Sequence, residues 1–218
     1  MQLHFKSSET LSLESFKEMD YLAVEQYHLP IELMMENAGL QLARLIALSA
    51  TKKSKIVIGI GNGNNGGGGL VAARRLASWG FDVFLDIPVD ITKALPKAQL
   101  ERALLFGAKK EAITEPNIWV DAYLGFSQRL PLGAVFLHRI NAANESFAFR
   151  ISLDIPIGIS KELKEPMFQA QQVLTLAAPK DILNVLPPET HIFIADLGIP
   201  HEVYEKYNIP MPTFFKNP

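Results

Sequence analysis

Two aspartates and a pair of asparagines stand where they could share one site. Asp121 follows the apolar run Ile118-Trp119-Val120, and Asp154 follows the segment Ala148 to Leu153. Asn64 and Asn65 lie within Gly61-Asn62-Gly63-Asn64-Asn65-Gly66-Gly67-Gly68-Gly69, directly after the β-branched run Ile56 to Ile60. A carboxyl group beside a reacting atom can give or take a proton. An asparagine side chain offers both a donor and an acceptor. Glycines let a ligand approach the main chain closely, and free N–H groups at a helix start suit a phosphate. The plainer alternative is that a strand-end aspartate forms a turn or caps a helix. Asp154 is followed by Ile155-Pro156, a pairing expected to hold the backbone extended and aim the carboxylate at the strand ends.

The elements that must position these residues can be read from periodicity. Ile56 to Ile60 reads as a buried parallel strand, and Leu70 to Ala77 as a helix with an apolar stripe, so Gly61 to Gly69 is expected to be a turn between them. Ser12 can cap a helix carrying Leu13, Phe16, Met19, Ala23 and Tyr27 on one face. Pro30 suits the start of a second helix, Ile31 to about Ser49, in which Gly39 signals close packing and Met34 and Met35 read as core. Further strands are expected at 81–85, 118–120, 148–153, 172–177 and 192–195, with helices at 96–105 and 132–143. Alternating strands and helices predict one domain spanning 1–218, of α/β class: a three-layer α/β/α Rossmann-like sandwich around a mostly parallel sheet. In such sheets ligands sit at the carboxyl ends of the strands. The glycine segment, Asp121 and Asp154 all fall there.

Composition narrows the function classes. Of 218 residues, 48% are hydrophobic and 20% charged, which is ordinary for a globular chain. A net charge of −2 gives no reason to expect nucleic acid or an anionic membrane as partner. No run is long and apolar enough to span a bilayer, and no signal peptide is visible before the first helix, so a cytoplasmic location is expected. With no cysteine there is no disulfide, thiolate nucleophile or cysteine zinc site, and the five histidines lack metal-ligand spacing. Lys180 is expected to be solvated.

Gly61-Asn62-Gly63-Asn64-Asn65-Gly66 also fits the dinucleotide pattern G-x-G-x-x-G, with Asp86 about 20 residues further on. This supports a dehydrogenase weakly. It explains neither the extra glycines nor the two aspartates, and Asp86 reads better as a solvated strand end than as a ribose ligand.

Four ordered segments carry a closer resemblance: Leu33-Met34-Met35-Glu36-Asn37-Ala38-Gly39; Asn64-Asn65-Gly66-Gly67-Gly68-Gly69-Leu70-Val71-Ala72-Ala73-Arg74; Val120-Asp121-Ala122-Tyr123-Leu124-Gly125; and Leu153-Asp154-Ile155-Pro156-Ile157-Gly158. Together with Ala178-Pro179-Lys180 and Asp196-Leu197-Gly198-Ile199-Pro200, they resemble the YjeF N-terminal domain family of NAD(P)H-hydrate epimerases and apolipoprotein A-I-binding-protein-like chains. The resemblance implies interconversion of the R and S forms of NADHX and NADPHX, nicotinamide cofactors damaged by hydration of the ring. It implies substrate contacts by Asn64, Asn65, Gly66, Gly67 and Gly68 and by Gly125, Phe126, Ser127, Gln128, Arg129, Leu130 and Pro131. It gives Asp154 the acid–base role and makes Asn65 and Asp121 ligands of a potassium ion. A homodimer and a separate dehydratase chain are the implied partners.

Three positions depart from the family pattern. Gly68 stands for an acidic residue, Ile157 for a serine, and Ser127 for the second glycine of G-T-G. Isoleucine offers no side-chain oxygen to a hard cation, so the potassium site is expected to be weak or absent. Three functions therefore stay open: an epimerase, a nucleotide- or protein-binding module with the same fold, and, more remotely, a dehydrogenase.

Overall fold

The structure is a computed structural model that describes residues 9–162 and 166–215 of the chain. Its centre is a six-stranded sheet. The strands are β1 (Lys55–Ile60), β2 (Asp82–Asp86), β3 (Ile118–Ala122), β4 (Phe149–Leu153), β5 (Gln172–Leu176) and β6 (His191–Ala195). Their spatial order is β2-β1-β3-β4-β5-β6, and every pairing is parallel, so the sheet is wholly rather than mostly parallel. Parallel strands covered on both faces must be apolar throughout. Accordingly β1 is buried at every position after Lys55. The chain leaves β1 toward one edge and returns through β3 to the other, so the switch point lies between them, where open α/β sheets hold ligands.

The helices are α1 (Leu13–Tyr27), α2 (Ile31–Ser49), α3 (Asn64–Ser78), α4 (Ala94–Leu105), α5 (Ala134–Glu145) and α6 (His201–Lys206). The hydroxyl of Ser12 accepts the Ser15 N–H at 3.0 Å, capping α1 as its sequence position predicts. His28 closes α1 in the left-handed region at φ 52°. Two apolar clusters flank the sheet. One joins α1, α2, α3 and α6 to the sheet. The other gathers Ile140 and Ala143 of α5 with Ile157, Phe168 and Ile182.

One expectation fails in an informative way. The run Gly66 to Gly69 is not a turn: α3 begins at Asn64 and all four glycines are helical and buried. Glycine in a helix interior costs up to about 1 kcal/mol each relative to alanine, so packing must supply the reason. A Cβ on Gly69 would stand 2.6 Å from Ala122 Cβ and 2.9 Å from Ile60 Cδ1. One on Gly66 would strike the Gly61 carbonyl, and one on Gly67 would lie 2.6 Å from Met35 Sδ. One on Gly39 would collide with Val71 and come 2.7 Å from the Gly68 carbonyl. The first turns of α3 thus lie directly against the sheet and α2. Local propensity says loop, and close tertiary contact makes it a helix.

Polar residues of α2 tie the family-like segments together. Glu36 accepts from Arg74 at 2.6 Å and Arg75 at 2.9 Å, tying α2 to α3. Asn37 and Gln41 donate to the Leu197 and Asp196 carbonyls, tying α2 to the segment after β6.

Candidate functional site

The start of α3 opens into a cavity of about 350 Å³ at the carboxyl ends of β1, β3, β4 and β5. The loop after β3 supplies Gly125, Phe126 and Ser127 to its wall; α3 supplies Asn64, Asn65 and Gly68; β4 leads into Asp154. These seven predicted residues are brought together. The others are not in the wall. Gly66 and Gly67 are buried beneath it against Gly61 and Met35. Gln128 folds inward, accepting the Gly158 N–H at 2.7 Å and donating to the Pro156 carbonyl. Arg129, Leu130 and Pro131 are exposed, and the Leu130–Pro131 peptide is cis.

Asp154 is fully engaged. One carboxylate oxygen accepts the Phe126 N–H at 2.7 Å, and the other lies 2.8 Å from Lys180 Nζ. Its backbone is left-handed at φ 71°, not extended as Ile155-Pro156 suggested. A non-glycine residue held there costs free energy, and such strain gathers at functional sites. The Asp154 N–H donates to the Leu174 carbonyl at 2.8 Å, which fixes the turn.

Lys180, expected in solvent, is instead completely buried. Three oxygens surround its Nζ: Asp154 Oδ1 at 2.8 Å, Leu176 O at 2.7 Å and Thr175 Oγ1 at 3.0 Å. The Phe16 ring covers it at 3.6 Å to the centroid. Thr175 Oγ1 and Leu176 O accept hydrogen bonds from the ammonium, and Asp154 Oδ1 stands beside it as an ion pair. Burial pulls the Lys180 pKa below that of an ordinary lysine, while the charge of Asp154 opposes the change. The family-like segment Ala178-Pro179-Lys180 marks this lysine in the sequence, but nothing local shows its burial, which depends on residues far along the chain.

Helix α1, which the sequence reading assigned no chemistry, forms one wall. Leu11 bridges the 179–181 segment, its N–H donating to the Pro179 carbonyl at 2.9 Å and its carbonyl accepting from Asp181 at 2.8 Å. This anchors α1 so that Phe16 meets both Lys180 and Phe126, the latter edge-on at 5.1 Å. One turn further, Asp20 faces the cavity. Burial raises its pKa to about 6; the Asp154 charge adds to the rise and Lys180 opposes it.

Asp121 lies fully buried beneath the cavity. One oxygen accepts the Tyr123 N–H, and the other accepts the Ile157 N–H at 2.8 Å and the Ser152 hydroxyl at 2.9 Å. Burial pushes its pKa up to about 7 against these three hydrogen bonds. Both oxygens are committed to protein donors, and the Ile157 side chain belongs to the apolar core. This donor set does not fit a cage for a hard cation. Asn65 Oδ1 is the exception: among the described residues it is buried without a hydrogen-bond partner, while Nδ2 donates to the Leu153 carbonyl at 3.3 Å.

A larger open groove of about 960 Å³ runs along the β2 edge. Asp86 lies there, not in the cavity beside α3. It is not a solvated strand end: it accepts from the Tyr123 hydroxyl at 2.5 Å and pairs with Arg139 at 3.0 Å. A residue so tied, and outside the cavity, does not serve as the ribose ligand of a dinucleotide fingerprint.

Comparison with known proteins follows the same outline. The family model described as YjeF-related protein N-terminus matches residues 31–182. An NAD(P)H-hydrate epimerase of Rhodopirellula baltica is 31% identical over 91% of this chain and 88% of its own length. One from Dehalogenimonas lykanthroporepellens is 32% identical over 94% and 91%. A bifunctional NAD(P)H-hydrate repair enzyme of Thermofilum pendens is 30% identical over 92% of this chain but only 42% of its own. The crystal structure of yeast ynu0 superposes with a TM-score of 0.84 at 21% identity, covering 93% of this chain and 95% of the yeast chain, a likeness of fold. With the matched model extending from α2 through β5 to Ile182, the chain belongs to the YjeF-related N-terminal domain family.

Proposed function

We propose that this protein interconverts the R and S forms of NADHX and NADPHX, acting as an NAD(P)H-hydrate epimerase. One observation carries the reading. The cavity holds, at one place, a helix start able to take a pyrophosphate and a carboxyl group fixed by two donors, Lys180 and the Phe126 N–H. Relatives bearing the epimerase name match nearly the whole chain.

The chemistry is short. Hydration puts a hydroxyl on a ring carbon next to nitrogen. The nitrogen lone pair expels it when an acid donates a proton, and water returns to the other face when a base removes one. Asp154 is the group placed to move that proton. Lys180 and the Phe126 N–H hold its two oxygens in one orientation, and the left-handed turn aims it. Asn65, with a buried and unengaged Oδ1, would accept from the ribose or the carboxamide. The same proposal takes the protein as a cytoplasmic homodimer whose product passes to a dehydratase; the Thermofilum relative is named a bifunctional NAD(P)H-hydrate repair enzyme.

The reading is tested with an R-NADHX preparation, followed by separation of the epimers, and by calorimetry with ADP-ribose. Conversion above the uncatalysed rate is expected. Binding of ADP-ribose should weaken about tenfold in Asn65→Ala, the size of one lost hydrogen bond to a buried group. No conversion, and no ADP-ribose binding up to millimolar, would remove the assignment.

Potassium is proposed to bind weakly or not at all, because the Asp121 oxygens are committed and Ile157 is apolar. A ligand held only by the folded state at about ten times its Kd stabilises by about 1.4 kcal/mol. Exchanging Na⁺ for K⁺ at constant ionic strength leaves screening unchanged, so the melting temperature should move by less than about 1 °C. In an Ile157→Ser, Gly68→Asp double variant the K⁺-minus-Na⁺ difference should become positive. A Cβ at 68 would press on Leu153 Cδ2 at 3.1 Å, so the Leu153 side chain must give by a few tenths of an ångström to admit the aspartate. A parent protein several degrees more stable in KCl than in NaCl would contradict this.

A further inference from the structure

We propose that Asp20 is the second acid–base group of this site, working with Asp154 across one cavity so that the two carboxyls together serve both faces of the hydrated ring. The proposal rests on the epimerase reading and extends it.

Asp20 has no structural task that explains it. It sits in the middle of α1, where aspartate is a poor helix former. It is neither cap nor first-turn acid. Among the described residues its carboxyl makes no hydrogen bond or ion pair within contact distance, yet it is half-buried in the cavity wall. It lies one helical turn from Phe16, and residues at that spacing share a face. The same anchor that seats Phe16 over Lys180 therefore presents Asp20 to the cavity that holds Asp154.

One carboxyl in a fixed place reaches one face of the ring more readily than the other. The hydroxyl leaves from one face of the ring, and water must add to the other. As the carbon–oxygen bond breaks, the leaving hydroxyl takes a proton from one carboxylic acid and departs as water. The nitrogen lone pair forms the C=N⁺ bond. A second water then adds its oxygen to the same carbon, the C=N electrons return to nitrogen, and the water's proton passes to the other carboxylate. Nothing is oxidised or reduced, and the pair ends with the single proton it started with, now on its other member. Asp20 and Asp154 line one cavity and act on each other through their charges, and a nearby like charge favours the protonated form of a carboxyl. Asp20, raised to about 6 by burial and by Asp154, can supply the proton near neutral pH.

Asp154 at the end of β4 and Lys180 after β5 act on Asp20 through their charges, and Lys17 on its own helix and Lys93 at the start of α4 line the same cavity. Lys180 keeps the pair from repelling itself apart, because its ammonium is held by Asp154.

The test compares the parent, Asp20→Asn and Asp20→Glu. Epimerisation is measured from pH 5 to 9 in both directions, with ADP-ribose calorimetry and melting curves alongside. The parent rate should fall as pH rises through about 6, where Asp20 loses its proton. Both directions should follow the same profile, since the equilibrium between epimers does not involve protons. Asp20→Asn should slow epimerisation about 10- to 100-fold and lose that limb, within the range of general acid–base effects. Its ADP-ribose affinity should stay within threefold, and Asp20→Glu should recover part of the rate. An active parent with Asp20→Asn at its full rate and unchanged pH profile would overturn the role of Asp20 alone. A parent that does not epimerise at all would overturn this role together with the function it rests on.

Discussion

Asp154→Asn should lower epimerisation by about 10²- to 10⁴-fold, the usual contribution of a positioned general acid–base. The substitution suits the backbone, because asparagine tolerates the left-handed conformation that Asp154 adopts at φ 71°. It keeps one acceptor, but an amide has a single oxygen where the carboxylate uses two, for Lys180 and for the Phe126 N–H. It also leaves the buried Lys180 ammonium without its counter-charge, so stability must fall as well. The activity therefore has to be read per folded molecule, with circular dichroism at the assay temperature. The Asp154→Asn, Lys180→Met double variant supplies the control: it removes both charges, should recover much of the stability, and should remain inactive. Epimerisation within threefold of the parent in Asp154→Asn would exclude a proton-transfer role for this carboxyl.

Lys180→Met is expected to cost about 3–5 kcal/mol of folding stability, the penalty for breaking a buried ion pair by removing one partner. Lys180 is fully buried and Asp154 nearly so, so neither charge can turn to water for compensation. At about 2–4 °C per kcal/mol for a chain of this size, the melting temperature should drop by roughly 6–20 °C. Most of that loss belongs to the stranded carboxylate and not to the missing contacts with Thr175, Leu176 and Phe16. A double-mutant cycle with Asp154→Asn separates the two, because removing a buried pair together is far less damaging than removing half of it. Urea denaturation of the four proteins gives the cycle. A Lys180→Met loss below about 1 kcal/mol, or no recovery in the double variant, would mean that the pair is not what holds the strand ends together.

Much of the architecture was legible because its signals are local. The β-branched run Ile56 to Ile60 makes a strand whatever surrounds it, and Ser12 caps a helix through an N–H three residues away. Alternating strands and helices leave few topologies, so the parallel sheet and the gathering of Asn64, Asn65, Asp121 and Asp154 at its carboxyl ends followed from order alone. The quartet of motifs was equally visible, since motif spacing is a property of sequence.

Other features depend on groups far apart in the chain. The run Gly66 to Gly69 reads as a loop by propensity, and only contacts with Gly61, Met35, Ala122 and Ile60 make it a helix. Lys180 reads as a surface residue until Asp154, Thr175 and Phe16 close around it. Asp86 looks free until Tyr123 and Arg139 take it. Asp20 carries no motif of its own, and its place in the cavity depends on Leu11 pairing with a segment near Lys180. The sequence by itself determined the elements, their order and the strand-end carboxyls, because backbone preference and hydrophobic period act over a few residues. Which of those groups are buried, paired or free to move a proton was decided by tertiary structure, because burial and charge act through space.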